Sequence, residues 1–177
     1  MSGSTKVIIA VLAVGAIAHV AYLVVTPYFV MRVAMSRIAD QAGGINKPLS
    51  TLPPTHRSRS IVKPSPDLVY TSCVFDISAG PVLVSGTPSP DYWSVALYAA
   101  NSDNFHVVND RQAVAAKVAF IIADAKRRSA IPAQHRLLPV VEPPTSKGIV
   151  LFRYLALDSA GLARAQAAQK TAVCSQL

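Results

Sequence analysis

From Val7 to Met31 the chain runs for 25 residues without a formal charge, bounded by Lys6 and Arg32. About 20 apolar residues suffice to cross a bilayer as a helix, so this run is long enough to span with some tilt, even if Pro27 kinks its end. A cleaved signal peptide is the competing reading: Lys6 makes a short basic start, Val7 to Gly15 an apolar stretch, and Ala16-Ile17-Ala18 a small-residue cleavage pattern. Apolar sequence continues well past His19, and cleavage would leave it as a sticky new N-terminus. A retained transmembrane helix is therefore expected.

Within that helix Gly15, Ala18, His19 and Tyr22 share one face, being spaced i, i+3, i+4 and i+7. Small residues let a neighbouring helix approach closely, which makes this face a candidate contact with another membrane subunit. His19 is the readily ionisable group of the run, and a hydrogen bond to a neighbouring helix is expected of it ahead of haem or pigment ligation. No cofactor is implied elsewhere. Arg32, Arg37 and Lys47 follow the helix, so the positive-inside rule leans towards a cytoplasmic C-terminal side. Long exported domains can override that rule.

The formal net charge is +8, and its distribution matters more than its size. Residues 1–66 hold Lys6, Arg32, Arg37, Lys47, Arg57, Arg59 and Lys63 against Asp40 alone. Basic residues beside a membrane span are accounted for by anionic lipid, here near Arg32 and Arg37. Nucleic acid is not an expected partner, because the remainder has neither a basic face nor a recognition motif. Hydrophobic content of 51% with 15% charged residues excludes an intrinsically disordered chain.

Three regions follow: an anchor with a juxtamembrane helix (1–42), a Pro-rich basic linker (43–66) and a β-rich domain (67–177). Val33 to Ala42 is expected to lie near the membrane surface, ended by Gly43-Gly44. Pro48, Pro53, Pro54, Pro64 and Pro66 favour extended, hydrated backbone, the signature of a stalk. Alternation then predicts strands at Leu68–Ile77, Val82–Ser85, Tyr92–Ala99, Phe105–Val108, Lys117–Ala123, Leu137–Val141 and Ile149–Leu155. Pro139 assigns its strand to a sheet edge or bulge. With Asp158 or Ser159 as N-cap, Gly161 to Val173 is predicted to end the chain as a helix, its Leu162, Ala165 and Gln169 stripe covering the sheet. The fold class is mainly β: an N-terminal transmembrane helix plus an antiparallel β-sandwich-like domain with a C-terminal helix.

The run Ser65-Pro66-Asp67-Leu68-Val69-Tyr70-Thr71-Ser72, then Phe75-Asp76-Ile77-Ser78 and Gly80-Pro81-Val82, resembles the bacterial family of domains of unknown function numbered 1254. Tyr92-Trp93-Ser94-Val95-Ala96-Leu97-Tyr98, Asn101, Asp103-Asn104-Phe105, Asn109-Asp110-Arg111, Pro144-Thr145 and Ile149-Val150-Leu151-Phe152-Arg153 continue the likeness. It covers roughly residues 62–170 and implies a β-rich domain of unsettled biochemistry. Longer relatives carry a jelly-roll-like domain numbered 1214 and look exported. The resemblance thus implies a separately encoded jelly-roll-like protein as a candidate partner, and a short, membrane-anchored form in the bacterial inner membrane with a periplasmic domain.

No G-x-S-x-G elbow, phosphate-binding loop or H-E-x-x-H is present, and no catalytic residue is nominated. Asn101, Asp103, Asn104, Asn109 and Asp110 concentrate oxygen ligands, but their spacing lacks the glycine and glutamate of a calcium loop, so Asx-stabilised turns are expected. Asn101, Asp103, Asn104 and Asp110 with Tyr92, Trp93, Tyr98 and Arg111 form the candidate ligand or partner surface. Tyr92 and Trp93 point to opposite faces of one strand, which argues against a single pocket. His56, His106 and His135 are too dispersed to read as a metal set, and no metal is expected. Cys73 and Cys174 can pair only in an oxidising compartment and only if their Cα atoms approach. The function read from these features is a non-catalytic, single-pass accessory subunit docking another membrane or periplasmic protein. The alternatives are an enzyme or ligand binder using Tyr92 to Arg111 and, less favoured, a His19 cofactor site.

Overall fold

The computed structural model describes residues 2–58, 64–112 and 117–177. Arg59 and Lys63 of the basic linker lie outside the described residues, as do residues 113–116. The order of elements is α1 (Gly3–Ala42), β1 (Pro48–Ser50), β2 (Leu68–Asp76), β3 (Val82–Gly86), β4 (Trp93–Ala99), β5 (Asn104–Asn109), β6 (Val118–Ile122), β7 (Val140–Val141), β8 (Lys147–Leu155), α2 (Ser159–Gln169) and β9 (Val173–Gln176). Two short 3-10 turns, Arg128–Ala130 and Ala133–His135, precede β7.

The strands form two sheets, one ordered β1-β2-β8-β4-β5 and the other β7-β6-β3-β9. Pairing is antiparallel except between β6 and β7. The two sheets pack face to face. Val69, Cys73 and Phe75 of β2, Val95 and Leu97 of β4, and Val150, Phe152 and Tyr154 of β8 meet Val82 and Val84 of β3, Phe120 and Ile122 of β6, and Cys174 of β9 in one buried core. Period two in the sequence sends these positions inward. Phe75 and Phe105 meet edge to face, with ring centroids 6.4 Å apart.

Each sheet also has a covered outer face. Ile131, Leu138, Val140 and Leu177 lie with Leu83, Ile121 and Ala123 beyond the four-stranded sheet. At the sandwich flank α2 buries Ala165 and Ala168, while Gln169 Nε2 donates to the carbonyls of Thr51 and Tyr70 at 3.2 and 2.9 Å. The predicted stripe is the face that packs. Asp158 caps this helix by accepting from the Gly161 amide at 2.6 Å.

Three features differ from the sequence expectation. The chain ends in a strand, not a helix: α2 stops at Gln169, and Val173–Gln176 pairs with β3. Cys174 explains the change, since it is bonded to Cys73 across the sandwich with a Cα separation of 6.5 Å. Between Leu137 and Val141 only Val140–Val141 is a strand, at the edge of its sheet as Pro139 demands. Inside the expected stalk, Pro48–Ser50 pairs with Thr71–Cys73 of β2 and extends the five-stranded sheet.

The disulfide closes a loop with a sequence separation of 101 residues. Removing such a constraint is expected to cost about 3–5 kcal/mol. In denaturant titrations the paired Cys73→Ser, Cys174→Ser variant should therefore lose that much unfolding free energy; an unchanged midpoint would contradict the role assigned to the bridge. Gly148 is a second sensitive position, because a Cβ there would collide with the Tyr98 carbonyl oxygen and the Phe75 ring. Gly148→Ala is expected to cost about 1–3 kcal/mol by overpacking, read by the same titration.

Candidate functional site

The outward-facing residues of the five-stranded sheet build the surface on which α1 docks. Register places Val74 of β2 beside Ile149 of β8, and Ile149 beside Tyr98 of β4, so these three make an apolar row running across the strands. On α1, Met31, Ala34 and Ile38 recur at i, i+3 and i+7 and are buried against that row, with Met35, Ala39 and Leu49 at its margins. Each large side chain buried there contributes about 1.5–3 kcal/mol. The helix expected over Val33–Ala42 is packed on the protein, because its stripe matches this row.

Both ends of the docked segment are pinned. At the C-terminal end Gly43 takes a left-handed conformation, φ 70°, and the Gly44 amide donates to the Ala39 carbonyl at 2.8 Å. Asn46 then bonds the end of β2: its Nδ2 donates to the Asp76 carbonyl at 3.1 Å, its Oδ1 accepts from the Asp76 amide at 2.9 Å, and its own amide donates to the Val74 carbonyl at 2.8 Å. At the other end Ser102 Oγ, in the β4–β5 turn, donates to the Pro27 carbonyl at 3.4 Å. The helix therefore crosses the strands from the β5 edge towards β1. The 16 helical steps from Pro27 to Gly43 rise about 24 Å, enough for the roughly 19 Å between five strands.

N-terminal to Pro27 the helix leaves the sandwich. Its large apolar residues from Val7 to Val25 are 52–71% exposed, and the most apolar 18-residue window has a mean hydropathy of 2.6 with none of it buried. Gly15, Ala18, His19 and Tyr22 all lie in this exposed part, on one face. Arg32 and Arg37 sit on the exposed side of the docked part.

The candidate surface residues divide between the two ends of β4 and β5. Tyr98, half-buried on the outer face, accepts a hydrogen bond from Arg153 Nη2 at 2.5 Å. Near it lies the turn in which Asn101 Nδ2 donates to Asp103 Oδ2 at 2.5 Å and Asn101 Oδ1 accepts from the Asp103 amide at 3.2 Å, with exposed Asn104 opening β5. Asp110 and Arg111 follow the opposite end of β5, about 20 Å away along the strand. There Asn109 Oδ1 accepts from the Arg111 and Gln112 amides at 3.0 and 3.2 Å, and exposed Tyr92 is close in sequence to Trp93, whose carbonyl accepts from the Asp110 amide at 3.2 Å. Trp93 itself is buried between the sheets. The structure thus brings Tyr98 to the Asn101–Asn104 turn and leaves Asp110, Arg111 and Tyr92 at the other end. The Asx geometry is local to each turn.

Among the described residues no group of three or more His, Cys, Asp and Glu side chains is placed to hold a metal. His106 packs on Phe120 at 5.5 Å, and burial lowers its pKa. Asp76 is the carboxylate with a distinct role. Partial burial raises its pKa, but hydrogen bonds from Ser78 and the Lys147 ammonium, 3.0 Å away, outweigh that and hold it below 3.8. Sequence reasoning missed Asn46 and Asp76 as the joint between helix and sheet. The signal available was Gly43-Gly44 followed closely by an Asn.

Two outcomes test the docked helix and the Asp76 carboxylate. Ala34→Arg puts a long cation where the helix touches the sheet, costing about 1–3 kcal/mol of docking. Trypsin cleavage after Arg32 and Arg37 should then speed up roughly ten- to a hundredfold, at about 1.4 kcal/mol per decade; unchanged cleavage would contradict the packing. Since the Asp76 pKa is lowered in the folded state, its stabilisation is complete above the ordinary carboxylate range and is lost as pH falls through the lowered value. Asp76→Asn should flatten that acid limb of an unfolding-versus-pH curve, and an unaltered limb would exclude Asp76 as its source.

Comparison with known proteins fits this architecture. The family model described as "Protein of unknown function (DUF1254)" matches residues 45–176, taking in β1 and β9 beyond the stretch whose resemblance was read from sequence. Among curated proteins none matches. The crystal structure of the VPA0106 protein from Vibrio parahaemolyticus is similar, with TM-score 0.63 and 16% identity over 89% of this chain and 37% of that one. An uncharacterized protein from Burkholderia cenocepacia aligns with TM-score 0.45 and 16% identity over 89% of this chain and 41% of that one. The first likeness shows the fold, and the chain spans about two fifths of the length of either structure. The chain belongs to the DUF1254 family.

Proposed function

We propose that this protein is a single-pass protein of the bacterial inner membrane whose β-sandwich lies in the periplasm and serves as an accessory subunit, docking another membrane or periplasmic protein. The observation that carries this reading is the unburied apolar helix, which continues without a break into a segment packed on the domain. A span whose sides touch nothing in its own chain needs lipid or another helix around it. The Gly15, Ala18, His19 and Tyr22 face is offered for the latter.

The Cys73–Cys174 bridge supports the periplasmic side. Disulfides persist in oxidising compartments and are rare in the cytosol, so the bridge weighs against the orientation suggested by Arg32, Arg37 and Lys47. The candidate partner is a separately encoded jelly-roll-like protein, as the family resemblance implies. The enzyme or ligand-binder reading has less support, since Trp93 is buried and the remaining candidate residues are split between two turns.

An impermeant maleimide applied to intact spheroplasts tests the placement. Leu137→Cys, on a residue 99% exposed, should be labelled from outside and Ser4→Cys should not. The reverse pattern, or release of the protein from membranes by alkaline carbonate, would overturn this function. A photo-crosslinking residue at His19 should yield a discrete protein adduct in vivo, and a ladder of lipid adducts alone would count against a subunit role.

A further inference from the structure

Two features of α1 overlap along its axis. On one side Pro27 is already in contact with the β4–β5 turn, through Ser102. On the other, Phe29 and Val30 are still 66% and 49% exposed, one turn further towards the domain. The sandwich therefore begins before the apolar surface of the helix ends.

The polar turn decides where the hydrocarbon stops. Were the span to run to Met31, the turn would be submerged by about 6 Å, the rise of four helical residues. The exposed Asp103 carboxylate and the exposed groups of the turn would then be stripped of the water around them, at several kcal/mol. Ending the hydrocarbon at Thr26 removes this conflict. Val7 to Thr26 rises about 30 Å, the thickness of a bilayer core. Phe29 and Val30, with half-exposed Tyr28, then fall in a headgroup layer roughly 5–7 Å deep, where aromatic side chains concentrate.

Resting on the membrane-anchor reading above, we propose that the β4–β5 turn and the outer edge of β5 sit in the lipid headgroup layer, with the transbilayer span confined to Val7–Thr26. Since α1 crosses the strands, the sheet stands edge-on to the membrane. β5 is the edge nearest the bilayer, and no strand pairs with its outer side among the described residues. A headgroup layer supplies polar groups and water to that edge, and it denies access to another strand.

The test uses the full chain in vesicles of phosphatidylethanolamine and phosphatidylglycerol. No free cysteine is present among the described residues, so single introduced cysteines can carry an environment-sensitive fluorophore. The sites are Val14→Cys in the span, Asp103→Cys in the turn, Val107→Cys on β5 and Leu137→Cys as the remote control. Lipids bearing a headgroup nitroxide should quench positions 103 and 107 several-fold more than position 137. If 103 and 107 are no more quenched than 137, while acyl-chain nitroxides quench position 14, the edge-on seating is wrong and the anchor stands. If position 14 is unquenched, both fall. Should Asp103→Cys fail to fold, Val107→Cys decides alone, since its side chain lies on the half-exposed outer face of the edge strand.

Discussion

One unbroken helix passes from a fully exposed apolar part into a part packed on the sandwich, and that continuity organises the molecule. Between Val7 and Val25 the helix presents large apolar side chains that are all exposed. From Met31 to Ala39 the same helix narrows to an apolar stripe that fits the row Val74, Ile149 and Tyr98. Asn46 locks the helix end to β2 before the chain enters β1. The exposed apolar part of α1 and the sandwich are therefore joined by packed side chains and hydrogen bonds, not by a loose tether.

The sandwich beneath this joint is closed by a few long-range constraints. The Cys73–Cys174 bridge ties β2 of one sheet to β9 of the other. Gln169 links α2 to the carbonyls of Thr51 and Tyr70, holding β1's exit against β2. Gly148 lets β8 run close to β4 without collision. None of these contacts forms a pocket, and each stiffens the platform that receives α1.

How much was legible in the sequence follows from the range of the interactions concerned. β2, β3, β4, β5, β6 and β8 were readable because β-branched and aromatic residues run through four or more consecutive positions between turn residues. β1 is three residues including Pro48, too short for alternation to register, and its partner is Thr71–Cys73 of a distant segment. β9 was hidden behind an alanine-rich helix, since Val173–Gln176 becomes a strand through pairing with the distant β3 and a disulfide spanning most of the domain. The Met31, Ala34 and Ile38 stripe was visible, but the surface covering it was not, since that row comes from three strands that folding brings together. The Asn101–Asp103 and Asn109–Arg111 turns were readable as Asx turns because their hydrogen bonds are local. Their division between two ends of one hairpin needed the register.

Hydrogen exchange of the full chain in lipid vesicles, read residue by residue across the first 46 positions, tests the continuity of α1 most directly. Unbroken protection from Val7 through Ala42 and on to Asn46 is the expected result. A fast-exchanging break between Pro27 and Val33 would mean a hinged anchor and a freely moving domain, and would contradict the account.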